Sequence, residues 1–173
     1  MTQVIKRASP NWNARPSGVL IDTLVIHATE SPDAQQDLAW LCNPKSEASA
    51  HALIDRDGTI YDLVPVQHRA WHAGKSIYNG RPDVNDFSIG VELANRCDGK
   101  EPYTDEQLQT FIALAVGYAR EWPAITPERI TTHKAIRAAW LAAHPGTADP
   151  KPDPGPCFPL DDFIAAVKEE LGR

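Results

Sequence analysis

The sequence predicts an α/β fold in which a central β-sheet is flanked by helices. Short β-branched runs and longer amphipathic runs alternate along the chain, the pattern that packs helices onto a sheet. The 173 residues are 42% hydrophobic and 23% charged, the balance of an ordinary globular protein. No composition shift, internal repeat or long charge run marks a boundary, so one domain spanning residues 1–173 is expected. At this length folding buries roughly 70% of the unfolded chain's surface, enough for a core without disulfides.

Leu20 to Ala28 (LIDTLVIHA) reads as a buried strand that delivers His27 at its end. Ser31 and Asp33 offer caps for a short helix through Leu38 and Leu41, stopped by Asn43 and Pro44. His51 to Ile54 and Thr59 to Val64 flank DRDG, whose Asp and Gly tolerate the positive φ of a hairpin turn. Ser88 to Leu93 (SIGVEL) is a further short strand and carries Glu92. Thr104 and Gln107 form a capping box ahead of Leu108, Phe111, Ile112, Ala115 and Ala119, one face of a helix ending near Glu121.

Arg129 to Thr132 is a short strand leading to His133, and an alanine-rich helix follows from about Ala135 to Ala143. Leu160, Phe163, Ile164, Val167 and Leu171 define the last helix, with Asp161 and Asp162 where the helix dipole favours anions. Ahead of it, six of the fifteen prolines fall between Pro145 and Pro159. Missing amide donors and fixed φ exclude regular structure there and predict a rigid loop.

Charge and hydropathy exclude several function classes. Lys and Arg total 17 against 23 Asp and Glu, a net charge of −6, and no basic stripe exists for a nucleic-acid backbone. No apolar run approaches the ~20 residues of a membrane span. The first residues, MTQVIKRASPNW, lack the hydrophobic stretch of a signal peptide, so a cytoplasmic location is expected for the chain as encoded. Cys42, Cys97 and Cys157 form no CxxC pair and cannot all pair internally, which fits a reducing compartment.

The six histidines are the first place to look for chemistry. None lies in a local zinc motif such as HExxH. His27 and His133 both fall at the expected C-terminal ends of strands, the sheet edge where ligands gather. A third donor can come from the proline loop: Asp153 is held between Pro152 and Pro154, and Asp149 and Cys157 are chemically plausible in its place. Two imidazoles and one carboxylate suit Zn²⁺ and leave a fourth position open, the catalytic arrangement.

The strings LVIHAT, SAHALIDRDG, RAWHAG, NDFSIGVEL and KPDPGP, in that order, resemble the type 2 zinc-dependent N-acetylmuramoyl-L-alanine amidases. That family shares its fold with peptidoglycan recognition proteins, and the resemblance covers about residues 20 to 160. It implies a mixed central sheet, with His27, His133 and Asp153 as zinc ligands. It further implies that Glu92 handles protons and that Lys151 stabilises the developing oxyanion. Trp71 and His72 of WHAG, with Asn85, are implied to line the substrate groove. His51 is assigned to structure behind the site, and His68 and His144 to the surface.

The activity implied is hydrolysis of the amide between the muramic acid lactyl group and L-Ala of the peptidoglycan stem. Peptidoglycan or muropeptide fragments would be the partners of a monomer, working in wall recycling or in phage lysis, where release to the wall would follow. Two departures stand out. Asp153 follows His133 by 20 positions, a longer interval than is usual in relatives, implying an inserted helical turn or two beside the site. Cys157 is the second, since some phage members use cysteine as the third ligand; the KPDPGP match favours Asp153. A peptidoglycan-binding module without catalysis is the rival, and the three filled ligand positions argue against it.

Overall fold

A computed structural model describes residues 2–31 and 33–172. In chain order its strands are β1 (Val4–Lys6), β2 (Trp12–Ala14), β3 (Thr23–Ala28), β4 (Ala52–Ile54), β5 (Ile60–Asp62), β6 (His68–Ala70), β7 (Ile77–Tyr78), β8 (Arg81–Pro82), β9 (Ser88–Leu93) and β10 (Ile130–Thr132). The helices are α1 (Ala34–Leu41), α2 (Asp105–Glu121), α3 (His133–Ala143) and α4 (Leu160–Glu170). Six strands form the central sheet in the order β1-β5-β4-β9-β3-β10. It is mixed: β4 and β5 are antiparallel across the DRDG turn, and every other neighbouring pair is parallel. The expected α/β architecture is therefore present.

Side-chain alternation along the strands explains the two layers. Leu24 and Ile26 of β3 and Ile89, Val91 and Leu93 of β9 point to one face, where α2 and α4 add Phe111, Ala115, Phe163 and Val167. Phe111 and Phe163 stack at 4.4 Å between ring centroids, locking the two helices together. Val25, from the opposite face of β3, packs with Ala73, Val84, Phe87 and Ile136, while Leu53 of β4 packs with Leu38 and Leu41 of α1. Burial on both faces is why β3 reads as a nearly unbroken apolar run. Its last polar position, His27, emerges on the α1/α3 side, opposite the larger core.

Element ends follow local chemistry. Asp33 caps α1 by accepting from Gln35 N and Gln36 N, and the expected capping box of α2 is present in both directions between Thr104 and Gln107. α3 begins at His133, two residues earlier than the alanine pattern indicates, because the Thr132 side chain accepts from Ala135 N at 3.2 Å. β3 begins at Thr23 rather than Leu20. Leu20 is 63% exposed, and buried Asp22 instead accepts from Arg81 at 2.6 Å and Arg129 at 3.1 Å. β1, β2 and the short pairs β2–β6 and β7–β8 had no expectation in the sequence; at two or three residues, largely exposed or half-buried, they are too short for a period of two to register.

The long interval between His133 and Asp153 forms the body of α3 and a return loop. Arg137, buried on α3, ties both to the rest of the molecule by donating to Lys75 O at 3.0 Å, Asp149 O at 2.8 Å and Asp149 Oδ2 at 2.9 Å. The segment that widens the spacing of the two residues is therefore braced against the WHAG loop.

Phe111→Ala removes a ring with no solvent exposure from the α2/α4 layer. It is expected to lower stability by ~3–5 kcal/mol in urea unfolding, while Leu20→Ala at an exposed position stays within about 0.5 kcal/mol of the parent.

Candidate metal centre

Three parallel strands bring the site together at their C-terminal ends. β10 pairs with β3 and β3 with β9, so His27 lies in register with Glu92 on adjacent strands and on the same face of the sheet. His133 follows β10 directly as the first residue of α3. Asp153 arrives from the proline loop, anchored where its carbonyl accepts from Lys134 N at 3.0 Å and where Tyr103 donates its hydroxyl proton to Pro154 O at 2.7 Å.

The Asp153 carboxylate is 2% exposed. Its Oδ2 lies 3.0 Å from His133 Nδ1 and 3.2 Å from His27 Nδ1, and the two imidazole centroids are 4.6 Å apart. One donor atom from each of His27, His133 and Asp153 falls within 4.8 Å of the others. Asp153 Oδ1 is buried with no hydrogen-bond partner among the described residues. A buried carboxylate oxygen without a donor is costly unless a cation meets it. The donor set and the orphaned oxygen both fit Zn²⁺. Of the residues left open as substitutes, Asp149 is engaged by Arg137, and Cys157 packs against the α2/α4 core outside this group.

Glu92 is the second unpaired acid. Its Oε2 is buried without a partner among the described residues, and burial, reinforced by the charges of Asp153, Asp37 and Glu30, pushes its pKa well above the ordinary value. Burial lowers His27 to about 4, with the neighbouring His133 acting in the same direction against the pull of Asp153. Burial also disfavours the ionised form of Asp153, yet its hydrogen bond with the adjacent His133 holds it well below the usual carboxylate range. The centre thus pairs a neutral His27 imidazole with a charged carboxylate, protonation states that a metal requires.

Glu92, His27, His133, Lys151 and Asp153 line a cavity of about 260 Å³ walled on the other side by α1. A larger cavity of about 550 Å³ holds Trp71, Lys75, Arg137 and Asp149, and shares Ala48, His72, His133 and Lys151 with the first. The two form arms that meet at the metal-binding group. Trp71 sits in the second arm with Nε1 donating to Asn13 Oδ1 at 2.7 Å.

Trp71 and His72 line the cavities as the sequence implied, whereas Asn85 is placed differently from a groove-lining position. His72 edges both cavities but is buried, with Nδ1 3.0 Å from His27 Nε2. Asn85 is buried behind the WHAG loop, where its Oδ1 accepts from His72 N at 3.1 Å and Ala73 N at 2.7 Å. Having no apolar partner requirement and an amide that satisfies two loop donors, Asn85 orders the backbone rather than facing the groove. His51, assigned behind the site, is there: its Nδ1 accepts from Gly90 N at 3.0 Å, and burial beside the Arg15 guanidinium lowers its pKa to about 3. His68 stacks on Trp12 and His144 on Trp140, away from the centre.

The sequence reading missed Glu30 and Trp40, which line the first cavity. Trp40 is 58% exposed because Leu38 and Leu41 take the inward face of α1. A large aromatic off the apolar stripe of a short helix is the signal that could have found it. Glu30 adopts φ 56°, a left-handed conformation unfavourable for a side-chain-bearing residue, and no composition signal marks it.

The model of the N-acetylmuramoyl-L-alanine amidase family, Amidase_2, matches residues 16–156. The 1,6-anhydro-N-acetylmuramyl-L-alanine amidase AmpD of Salmonella typhimurium is 36% identical over 180 residues, which cover 92% of this chain and 87% of that protein. A crystal structure of a selenomethionine AmpD derivative aligns with a TM-score of 0.77 at 33% identity, over 96% of this chain and 94% of that one. Escherichia coli AmiD, solved with anhydro-N-acetylmuramic acid-L-Ala-D-γ-Glu-L-Lys, aligns with a TM-score of 0.72 at 31% identity, over 89% of this chain and 61% of that one. A family match across most of the sequence, and relatives of this identity over nearly its whole length, agree with the sheet-edge centre described above: the chain belongs to the N-acetylmuramoyl-L-alanine amidase family.

Proposed function

We propose that residues 1–173 act as one zinc-dependent amidase domain that hydrolyses the amide between a muramyl lactyl group and L-Ala of the stem peptide. Anhydromuropeptides released during wall recycling are its substrates in this reading. The observation that carries it is the buried His27, His133 and Asp153 group with an unpaired acid, Glu92, in register beside it. The names of the relatives support the substrate class: AmpD is called a 1,6-anhydro-N-acetylmuramyl-L-alanine amidase, and AmiD was solved with an anhydromuramyl tripeptide.

His27, His133 and Asp153 would hold the metal. Bound there, zinc supplies Lewis-acid polarisation of a carbonyl and activates water near neutral pH. Glu92 takes a proton from the attacking water and returns it to the leaving amine of L-Ala, so the C–N bond breaks as a carboxylic acid and an amine are formed. Lys151, facing both arms, places a cation where the amide oxygen becomes negative. The two arms give the sugar and the peptide separate exits from the centre, with the scissile amide between them.

Products are read by mass spectrometry after incubation with paired muropeptides ending in anhydro-muramic or ordinary muramic acid. Stem-peptide release from the anhydro form alone is the expected result. Cleavage of both would replace recycling with general wall hydrolysis, and cleavage of neither by the zinc-loaded protein would leave a binding module.

Asp153→Ala is expected to lose bound zinc in elemental analysis. Glu92→Ala should keep the metal yet lose most turnover, and Lys151→Ala should reduce kcat roughly 10²- to 10³-fold, as for one lost oxyanion donor. Full activity in the first two variants would refute the assignments.

Glu92 also predicts a pH dependence for the metal-free protein. Its pKa is raised on folding, so the native state resists ionisation and stability falls as pH rises from about the ordinary value of 4.5. Glu92→Gln removes that loss. The variant is expected to be more stable than the parent at pH 8, with the gap closing near pH 4. Urea unfolding of chelator-treated protein at the two pH values is the measurement.

A further inference from the structure

Behind the metal-binding group a chain of hydrogen bonds runs from His27 to the backbone. His27 Nε2 lies 3.0 Å from His72 Nδ1, His72 Nε2 lies 3.1 Å from Ser88 Oγ, and Ser88 Oγ lies 2.6 Å from the carbonyl oxygen of Val84. All three side chains are buried. Direction follows from the last link. A carbonyl only accepts, so the single hydroxyl proton of Ser88 is committed to Val84 O, and Ser88 Oγ can only accept from His72.

His72 must then carry its proton on Nε2, which leaves Nδ1 as an acceptor. The proton between His72 and His27 accordingly sits on His27 Nε2, and His27 Nδ1 is left bare. That bare nitrogen is the one 3.2 Å from Asp153 Oδ2. Two acceptors facing each other at this distance repel unless a cation lies between them. Left to itself, His27 would place its proton on Nδ1 and donate to the carboxylate, blocking its own ligand atom.

We propose that His72 and Ser88 are positioning residues that fix His27 in the tautomer with Nε2 protonated and Nδ1 free for the metal. Ligating histidines ordinarily donate their second nitrogen to a carboxylate, carbonyl or water, and here a second imidazole takes that place and passes the constraint on. His133 has no such partner for Nε2 among the described residues, so only one of the two imidazoles is preset.

The ring of His72 is seated for this task. A Cβ on Gly90 would come within 2.3 Å of the His72 ring, so β9 can pass beneath the imidazole only with glycine there. Asn85 Oδ1 holds the backbone on either side of the ring by accepting from His72 N and Ala73 N. The glycine of SIGVEL and the histidine of WHAG thus belong to one device.

The inference rests on the metal-site reading above, and its test separates the two. Long-range ¹H–¹⁵N correlation spectra of the chelator-stripped, ¹⁵N-labelled full chain at pH 7 report the tautomer of each imidazole without metal or substrate. His27 and His72 are both expected as Nε2–H forms; an Nδ1–H form for either ring overturns the proposal, whatever the protein does with muropeptides. Ser88→Ala deletes the acceptor that orients His72. It is expected to mix the tautomers of both rings and to weaken zinc binding ~10- to 100-fold in chelator competition, with Ser88→Thr restoring both by returning a hydroxyl.

Unchanged tautomers and zinc affinity in Ser88→Ala would refute the role of Ser88. Should that variant fail to fold, the parent spectrum still decides the direction of the chain. A parent protein with the expected tautomers but no zinc binding would defeat the amidase reading while leaving the hydrogen-bond relay intact.

Discussion

Asp153 is a charged carboxylate placed where water does not reach, and the rest of the site is arranged around that single cost. One oxygen meets two imidazole nitrogens and the other meets no donor. Isolated ions are not left in protein interiors, so the arrangement is stable only with partners that can share positive charge. The surrounding chain supplies rigidity rather than solvation. Prolines flank the residue, Lys134 N holds its carbonyl, and Tyr103 fixes the next carbonyl from beneath α2's edge of the core. Removing that rigidity would let the carboxylate turn toward solvent, which is energetically easier than waiting for a cation.

The fold and the centre were legible in the sequence to different degrees, for identifiable reasons. β3, β9 and α2 are long enough for apolar periodicity to emerge, and Thr104 with Gln107 marks its own helix start, so the central layers were readable. β1 and β2 are held by backbone pairing at the edges, with little side-chain burial, and leave no pattern. His27 and His133 were readable as strand-end residues because a polar group closing an apolar run must face something other than core. Their meeting with Asp153 was not derivable from local pattern, since the proline loop fixes the residue's conformation but says nothing of where it docks.

The roles of His72 and Asn85 show a second limit. Sequence strings mark residues near a site without distinguishing a side chain that faces the groove from one that braces it. The Asn85 amide oxygen is engaged by two loop donors, and His72, though it edges the cavities, is packed between Gly90 and His27 with both ring nitrogens engaged. Hydrogen-bond accounting makes the distinction, because a buried imidazole with both nitrogens engaged inside the protein has none left for a ligand, and an amide oxygen shared by two loop donors orders the backbone.

Charge around the first cavity explains why Glu92 can remain unpaired. Glu30, Asp37 and Asp153 share its surroundings, and among the described residues lining that cavity Lys151 is the one Lys or Arg side chain. In such a field an additional negative charge is disfavoured, so the Glu92 carboxyl is harder to ionise than an exposed one while the centre is metal-free. A divalent cation held by His27, His133 and Asp153 would change the sign of the nearest charge, and the same burial that disfavours ionisation would then strengthen the attraction. On the proposed function, a carboxyl group in that position would be shifted from acid toward base by occupancy of the neighbouring site. Metal binding and proton acceptance would thereby be coupled through one electrostatic field, with no movement of the backbone required, because β3 and β9 already hold His27 and Glu92 side by side.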